Sequence, residues 1–233
     1  MLTQNSGKTG ATRKKFIRFM WKKKRWIKSY KAKKMPHWAT SMTPSKLTTK
    51  FLAVLTKNKL KNERTLEVGC GNGRDSIYLA KRGLRIVGID ISGQAIKYAR
   101  QNKNTIGKLK GRATFRKADV EQLPFENETF GSVYSVGVLH STKLLKSFRE
   151  IRRVLKSGGV AVALLWQRTK FLKTNKTQEQ CDPAKLKKVL KKLRFVVKTF
   201  SQNVAASGID YDSGRKNPHK HFAIILVVKK CAG

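Results

Sequence analysis

The order of apolar and polar positions changes its period several times after Glu63. Short apolar runs, as expected of buried strands, are separated by stretches in which apolar residues recur every three or four positions, as on one face of a helix. This alternation predicts βαβ units and a mostly parallel sheet. The predicted strands are residues 65–68, 85–89, 113–116, 132–138 and 160–166, and the predicted helices are residues 74–82, 94–102 and 143–155. Gly158 and Gly159 are expected to stop the last helix.

The C-terminal part adds one more helix and two further apolar runs. The helix is predicted at residues 182–193, in DPAKLKKVLKKL, and the β-rich runs at residues 195–200 and 222–228. The glycine-containing loop between these runs favours an antiparallel hairpin that closes the sheet. We therefore expect residues 45–233 to form one α/β domain, with a seven-stranded, mostly parallel sheet, helices on both faces and a C-terminal antiparallel hairpin.

Residues 1–44 are predicted to form a basic extension in front of this domain. Within it, residues 13–34 read RKKFIRFMWKKKRWIKSYKAKK. An apolar and aromatic stripe recurs there near helical spacing, formed by Phe16, Phe19, Met20, Ile27 and Tyr30. Such a basic helix suits three roles: binding RNA, lying on a membrane surface, or packing its stripe against the domain. The pattern is compatible with all three.

Charge changes this picture more than overall composition does. The 233 residues include 53 Lys and Arg but only 13 Asp and Glu, which gives a formal net charge of +40. A field of this sign attracts phosphate backbones and anionic lipids. We therefore expect RNA as a partner, bound through the basic surface and residues 13–34. A lysine-rich organism or a salt-adapted surface would produce the same composition.

Cysteine usage and the length of the apolar runs bear on the compartment. Cys70, Cys181 and Cys231 show no CxxC spacing, which favours neither a disulfide framework nor a zinc cluster, and we predict no metal site. No apolar run approaches the roughly 18 residues of a membrane span. We expect a cytoplasmic protein. Mitochondrial import stays open, because the first acidic residue is Glu63.

The stretch TLEVGCGNGRDSIYLAKRGLRIVGIDIS carries the most specific chemistry of the chain. A predicted strand runs into Gly69, Gly71 and Gly73 and then opens a helix. This arrangement puts backbone N–H groups and the positive end of a helix dipole at the carboxyl edge of the sheet. Asp90 ends the second strand, where a carboxylate can accept both hydroxyls of a ribose. A dinucleotide fingerprint would need its third glycine where Arg74 stands, so a nucleoside without phosphates fits better.

Five successive segments resemble the motifs of the class I S-adenosylmethionine-dependent methyltransferases. They are LEVGCGNGRDSIYLAKRG, IVGIDIS, KADVEQLPF, VLHS and LKSGGVAVALLW, which cover residues 65–166 in the order and at the intervals of that family. The first segment, with PHW upstream, is similar to the branch that contains thiopurine and tellurite methyltransferases. The resemblance implies a Rossmann-like fold, S-adenosyl-L-methionine as the cofactor, and methyl transfer as the reaction.

The resemblance also implies roles for individual residues at the cofactor. Glu67, Gly69 and Gly71 would surround its methionine portion, with loop N–H groups binding the carboxylate and Glu67 binding the ammonium. Asp90 would bind the ribose, and Ile91 would pack on the adenine. For Glu67, pairing with a nearby cation is the alternative, since a buried carboxylate needs a partner.

Two residues after the third strand would complete the adenine site. The resemblance implies that Asp119 accepts from the adenine amino group while the Val120 N–H donates to the ring. A local Asx turn is the alternative role for Asp119. Both roles are compatible with the sequence KADVEQLPF.

The acceptor side is less well defined by the sequence. His140, after the fourth strand, is the best candidate for a general base, if the acceptor must lose a proton, although a structural hydrogen bond is the alternative. Trp166, at the end of the fifth strand, could be a wall or stacking surface for a planar acceptor. His219 and His221 lack further ligands at metal spacing and are interpreted as loop and strand edge.

Three functional hypotheses follow from these observations. The leading one is a methyltransferase that acts on RNA, either tRNA or rRNA, or on an RNA-associated protein, because of the net charge and the basic extension. The first alternative is a small-molecule methyltransferase whose basic surface is incidental. The second is a non-enzymatic RNA-binding subunit with a methyltransferase fold.

Overall fold

The computed structural model describes residues 24–31, 37–172, 175, 177–210 and 217–231. Of the predicted basic helix, residues 13–23 and 32–34 lie outside the described ranges. The described strands are β1 (Arg64–Val68), β2 (Arg85–Asp90), β3 (Arg112–Lys117), β4 (Phe130–Val136), β5 (Leu155–Phe171), β6 (Thr177–Glu179), β7 (Phe195–Asp210) and β8 (Asn217–Lys230).

The described helices are α1 (residues 24–31), α2 (His37–Thr40), α3 (Leu47–Lys57), α4 (Arg74–Lys81), α5 (Gly93–Asn104), α6 (Leu144–Val154) and α7 (Pro183–Lys192). A short 3-10 helix, Leu139–Ser141, follows β4. No helix in the described part of the chain is long and apolar enough to cross a membrane.

All eight described strands belong to one sheet, whose order is β3-β2-β1-β4-β5-β8-β7, with β6 paired to β5 beside this path. β1 to β5 run parallel to one another, whereas β8 is antiparallel to both β5 and β7. The α/β fold, the mostly parallel sheet and the C-terminal hairpin predicted from the sequence are therefore confirmed. The eighth strand, β6, was not predicted, since its three exposed residues carry no apolar pattern.

Helices cover both faces of the sheet because its central strands are apolar on both sides. In β4, Val133 belongs to a core cluster that includes Phe148 of α6, and the adjacent Tyr134 belongs to a second cluster that includes Phe51 of α3. The rings of Phe51 and Tyr134 lie 4.8 Å apart. These two cores hold β4 between α6 and α3.

β5 begins earlier than the sequence predicted. It starts at Leu155, directly after α6, and this residue pairs with Phe130 of β4. The expectation that Gly158 and Gly159 stop the helix is wrong, because both glycines lie inside β5, where its register with β4 shifts. The helix ends because Leu155 already has extended backbone angles, φ −73° and ψ 133°.

The topology brings several elements to one edge of the sheet. The carboxyl ends of the parallel strands β1 to β4 meet there, as in other open α/β sheets. β5 extends past this edge, so that its Thr169 pairs with His221 of β8 and with Gln178 of β6 beyond the end of β4. α1 lies at the same edge, where its Tyr30 is buried.

Candidate active site

A cavity of about 580 Å³ lies at the carboxyl edge of the sheet. Every candidate site residue of the sequence analysis lines it: Glu67, Gly69, Gly71, Asp90, Ile91, Asp119, Val120 and His140. Further lining residues come from α1, β5, β6 and β8. The site therefore combines the loops after four strands with a helix and a hairpin strand whose place there the sequence did not predict.

The loop between β1 and α4 folds onto the end of β2. The N–H groups of Gly69 and Cys70 both donate to the carbonyl of Ile89, at 2.7 and 2.8 Å. Gly69 and Gly71 have φ values of 74° and 55°, a region that glycine adopts without strain. A side chain at Gly69 would also collide with Val138, which follows β4. The close approach of the loop to two strand ends therefore requires glycine here.

Asp90 fastens this loop and also lines the cavity. Its Oδ2 accepts from the Gly71 N–H at 3.1 Å and its Oδ1 accepts from the Ser92 N–H at 2.8 Å. Burial raises the pKa of the Asp90 carboxyl to about 6, while these hydrogen bonds act in the opposite direction. The N–H groups of Gly69, Cys70 and Gly71 all donate within the protein, and the binding of a ligand carboxylate by the loop stays a prediction.

Two buried carboxylates, Glu67 and Asp75, line the cavity beside the loop. Glu67 accepts a hydrogen bond from the Ser76 hydroxyl, and Asp75 accepts from the Ser45 N–H at 2.7 Å and the Tyr134 hydroxyl at 3.1 Å. Burial, followed by the neighbouring Asp75, raises the pKa of Glu67. Burial also raises the pKa of Asp75. A cationic ligand here would stabilise both ionised carboxylates.

Helix α1 covers part of the cavity. Its Tyr30 is 6% exposed and packs with Ala39 and Ala95. The Tyr30 hydroxyl is so close to the glycine loop that a Cβ at Gly71 would lie 2.5 Å from it. Trp26 of the same helix also lines the cavity. The sequence allowed three roles for the aromatic stripe. Tyr30 has the third of them, because its ring packs against the domain.

The segment after β3 contributes a turn as well as a cavity wall. Oδ1 of Asp119 accepts from the Glu121 N–H at 3.0 Å, which forms the Asx turn that the sequence allowed. The same side chain is half-buried and lines the cavity with Val120 and Ile91. Asp119 therefore forms the Asx turn and lines the cavity at the same time.

The described lining of the cavity includes two histidines. His140 lies on the 3-10 helix after β4 and is 7% exposed. His221 lies inside β8, where its ring stacks on Trp166 with centroids 4.5 Å apart. Thr169 Oγ1 is hydrogen-bonded to Nδ1 of His221 at 2.8 Å and accepts from the Gln180 side chain at 2.9 Å. The interpretation of His221 as strand edge without a site is corrected, since its ring lines the cavity.

Sequence comparison finds similarity to methyltransferases over the segments that form most of the site. Residues 66–163 match the family model described as a methyltransferase domain. Sterol 24-C-methyltransferase of Pneumocystis carinii (strain B80) is 36% identical over 109 residues, which cover 45% of this chain and 28% of that protein. The ubiquinone/menaquinone biosynthesis C-methyltransferase of Geotalea daltonii is 30% identical over 115 residues, 48% of either chain. The chain thus spans less than half the length of these relatives.

Structural comparison agrees at the level of the fold. A crystal structure described as a SAM-dependent methyltransferase from Methanosarcina mazei superposes with a TM-score of 0.63 at 19% identity. The superposition covers 77% of this chain and 98% of that one. Residues 66–163 are therefore similar to a methyltransferase domain, and the fold agrees with that of a SAM-dependent methyltransferase.

Proposed function

We propose that the chain transfers the methyl group of S-adenosylmethionine to a small planar molecule bound beside Trp166 and His221. The observation that carries this proposal is the size of the cavity, about 580 Å³, within the roughly 300–1,000 Å³ typical of small-molecule sites. The cofactor would occupy part of that volume, so the space left for an acceptor is small. Residues of α1, β5 and β8 line the cavity on the side of Trp166 and His221.

The relatives support a small-molecule acceptor over the RNA acceptor of the leading sequence hypothesis. Two of them are named for sterol methylation and for ubiquinone/menaquinone biosynthesis. No relative reported above is named for RNA. The first alternative from the sequence is therefore our preferred function, and RNA as the methyl acceptor stays an untested prediction.

The family resemblance supports the cofactor-binding roles that we propose for the carboxylates lining the cavity. Asp90 would accept hydrogen bonds from the ribose hydroxyls while it keeps the Gly71 N–H, and Glu67 would bind the ammonium of the methionine portion. Asp119 would accept from the adenine amino group, with Ile91 and Val120 against the ring. These groups orient the nucleoside. When bound, S-adenosylmethionine supplies a methyl group on a sulfonium, which is a good leaving group for in-line displacement.

The chain's remaining task is to position the acceptor and, where necessary, to remove its proton. Trp166 offers an aromatic surface to a planar molecule. His221 is the better placed base of the two histidines, because Thr169 and Gln180 hold its imidazole in a hydrogen-bonded chain. An acceptor hydroxyl or ring N–H would lose its proton to this imidazole as the methyl group is transferred.

The proposal is tested by following the methyl group. The purified protein is incubated with methyl-labelled S-adenosylmethionine and a total cell extract, which is then separated into RNA, protein and small-molecule fractions. We expect label in the small-molecule fraction. Label in RNA would overturn the proposed acceptor and support the leading sequence hypothesis. No transfer, together with no calorimetric binding of S-adenosylmethionine, would favour the non-enzymatic alternative.

Cofactor affinity is expected to rise with pH through about 6. Burial raises the pKa of Asp90 from 3.8 to about 6, so between these values the folded protein holds a proton that the unfolded chain has lost. The stability of the free protein therefore falls as the pH rises through this window. Ribose hydroxyls donate to the ionised carboxylate, whose fraction increases roughly tenfold between about pH 5 and about pH 7, and the affinity should follow.

Isothermal titration at both pH values checks this pH dependence. Asp90→Asn, which has no ionisable group at this position, should lose the step in affinity near pH 6. An equal step in the variant and in the wild-type protein would show that another group is responsible.

A further inference from the structure

We propose that the amino-terminal edge of β1, β2 and β3, at the end of the sheet opposite the active site, binds the phosphate backbone of RNA. The bound RNA would determine where the enzyme resides in the cell. It would not be the methyl acceptor. The inference does not depend on the proposed function, because the residues that carry it contribute nothing to the active-site cavity.

Three arginines lie side by side at this edge. Arg64 pairs with Arg85 in the register of β1 and β2, and Arg85 pairs with Arg112 in the register of β2 and β3. Residues in register on parallel strands point to the same face, and adjacent strands are about 4.8 Å apart. All three residues are exposed. Like charges directly opposite each other destabilise a sheet, so this row favours a polyanion that neutralises it.

The row borders a shallow cavity of about 480 Å³. Arg85 and Arg112 line it together with Lys61 and Lys110, and none of the described residues in its lining is acidic. Along the chain, Asp90 is the only acidic residue between positions 75 and 119. Glu63, which precedes Arg64, pairs with Lys156 at 2.8 Å. The described lining of the shallow cavity therefore provides no acid to balance its four cations.

The backbone beneath these cations is firmly held. The Gly111 N–H donates to the carbonyl of Ala80 at 2.8 Å, and the Arg112 N–H donates to the carbonyl of Leu84 at 3.0 Å. A side chain at Gly111 would collide with the Gly83–Leu84 backbone, so this close approach requires glycine. Hydrogen bonds thus hold the segments that carry Lys110, Arg112 and Arg85 together before a ligand binds. Because these segments are already ordered, less conformational entropy is lost on binding.

The arrangement fits a nucleic-acid backbone better than a single phosphate or a membrane. The arginine row spans about 10 Å, two strand spacings, and is exposed along its length, so it can meet several phosphates at once. The guanidinium group pairs well with phosphate oxygens. Membrane surface binding is strongest where buried apolar side chains add to the attraction of cations for anionic lipids. The exposed large hydrophobic residues of the described chain, Met42, Leu172, Val196 and Val197, lie on other segments.

The test compares two variants with the same change in charge. The site variant carries Arg64→Gln, Arg85→Gln and Arg112→Gln, and the control carries Lys185→Gln, Lys188→Gln and Lys192→Gln at exposed positions of α7. Fluorescence anisotropy with a short labelled single-stranded RNA of mixed sequence is recorded between about 50 and 200 mM salt.

We expect the site variant to bind this RNA at least about tenfold more weakly than the control. The slope of log K against log salt should fall by about 2, since three phosphate contacts contribute roughly 0.7 each on a single strand. S-adenosylmethionine affinity should be unchanged. The melting temperature should not fall, because like-charge repulsion is removed. If the triple variant does not fold, Lys61→Gln with Lys110→Gln, outside the strands, is compared with a control that carries only Lys185→Gln and Lys188→Gln.

Two results would overturn the proposal. Equal losses in the site variant and the α7 control would mean that RNA binds to diffuse surface charge and not to this edge. Wild-type binding to vesicles of phosphatidylserine and phosphatidylcholine, lost in the site variant and without comparable binding to RNA, would identify an anionic membrane as the partner.

Discussion

Replacement of Asp90 by alanine is expected to weaken S-adenosylmethionine binding by about 100-fold or more. The substitution removes the carboxylate proposed to accept from the ribose hydroxyls, and hydrogen bonds to charged groups contribute about 1.5–3 kcal/mol each. It also removes the acceptor for the Gly71 and Ser92 N–H groups, which hold the glycine loop and the start of α5. Isothermal titration calorimetry measures the loss directly.

Asp182→Ala is the matched control for this experiment. Asp182 accepts from the Ala184 N–H at 2.8 Å as the N-cap of α7 and does not line the cavity. Its loss should lower the stability by about 1 kcal/mol and leave cofactor affinity unchanged. Wild-type affinity in a folded Asp90→Ala protein would show that this carboxylate does not bind the ribose.

The strands and helices from β1 to α5 were predictable from sequence because their causes are local. β1 and β2 are short runs with mostly buried residues, and the glycine turn and Asp90 identify their ends. Ser92, whose hydroxyl accepts from the Ala95 N–H, explains why α5 begins directly after Asp90. Local pattern and tertiary packing agree in this region, so the predicted and observed bounds differ by only a few residues.

The missed site residues depend on contacts between distant segments. His221 reaches the cavity only because β8 pairs with β5 beyond the end of β4. No local sequence pattern predicts that register. Asp75 was not singled out from the sequence, and it lies in the first turn of α4, where it is buried against Tyr134 and Ser45. Tyr30 was one member of a basic aromatic stripe, and the burial of its ring depends on where α1 packs.

The net charge bears on RNA binding, whereas the cavity bears on the methyl acceptor. The leading sequence hypothesis took RNA as the methyl acceptor because of the net charge and the basic extension. The structure separates them, since the arginine row and the cofactor cavity lie at opposite ends of β1 and β2. A small-molecule methyltransferase that associates with RNA is consistent with both features.

His221→Gln is expected to reduce the rate of methyl transfer by about 100-fold or more, if the acceptor loses a proton in the reaction. Glutamine cannot take up that proton, although it keeps a polar group beside Trp166. The rate is measured in a single turnover with labelled S-adenosylmethionine, as label entering the small-molecule fraction of the extract. Cofactor affinity should be unchanged, because the carboxylates proposed to bind the cofactor lie on β1, β2 and the segment after β3.

Two further variants separate proton removal from packing. Thr169→Val removes the hydrogen bond to Nδ1 of His221 at nearly constant volume, so we expect a smaller loss of rate and a shifted pH profile of the reaction. His140→Gln should reduce the rate less than tenfold, because we assign proton removal to His221. The opposite order, with His140→Gln inactive and His221→Gln close to wild type, would return the role of base to His140, the residue chosen from sequence. Loss of activity in both variants with unchanged cofactor affinity would mean that the two imidazoles act on the acceptor together.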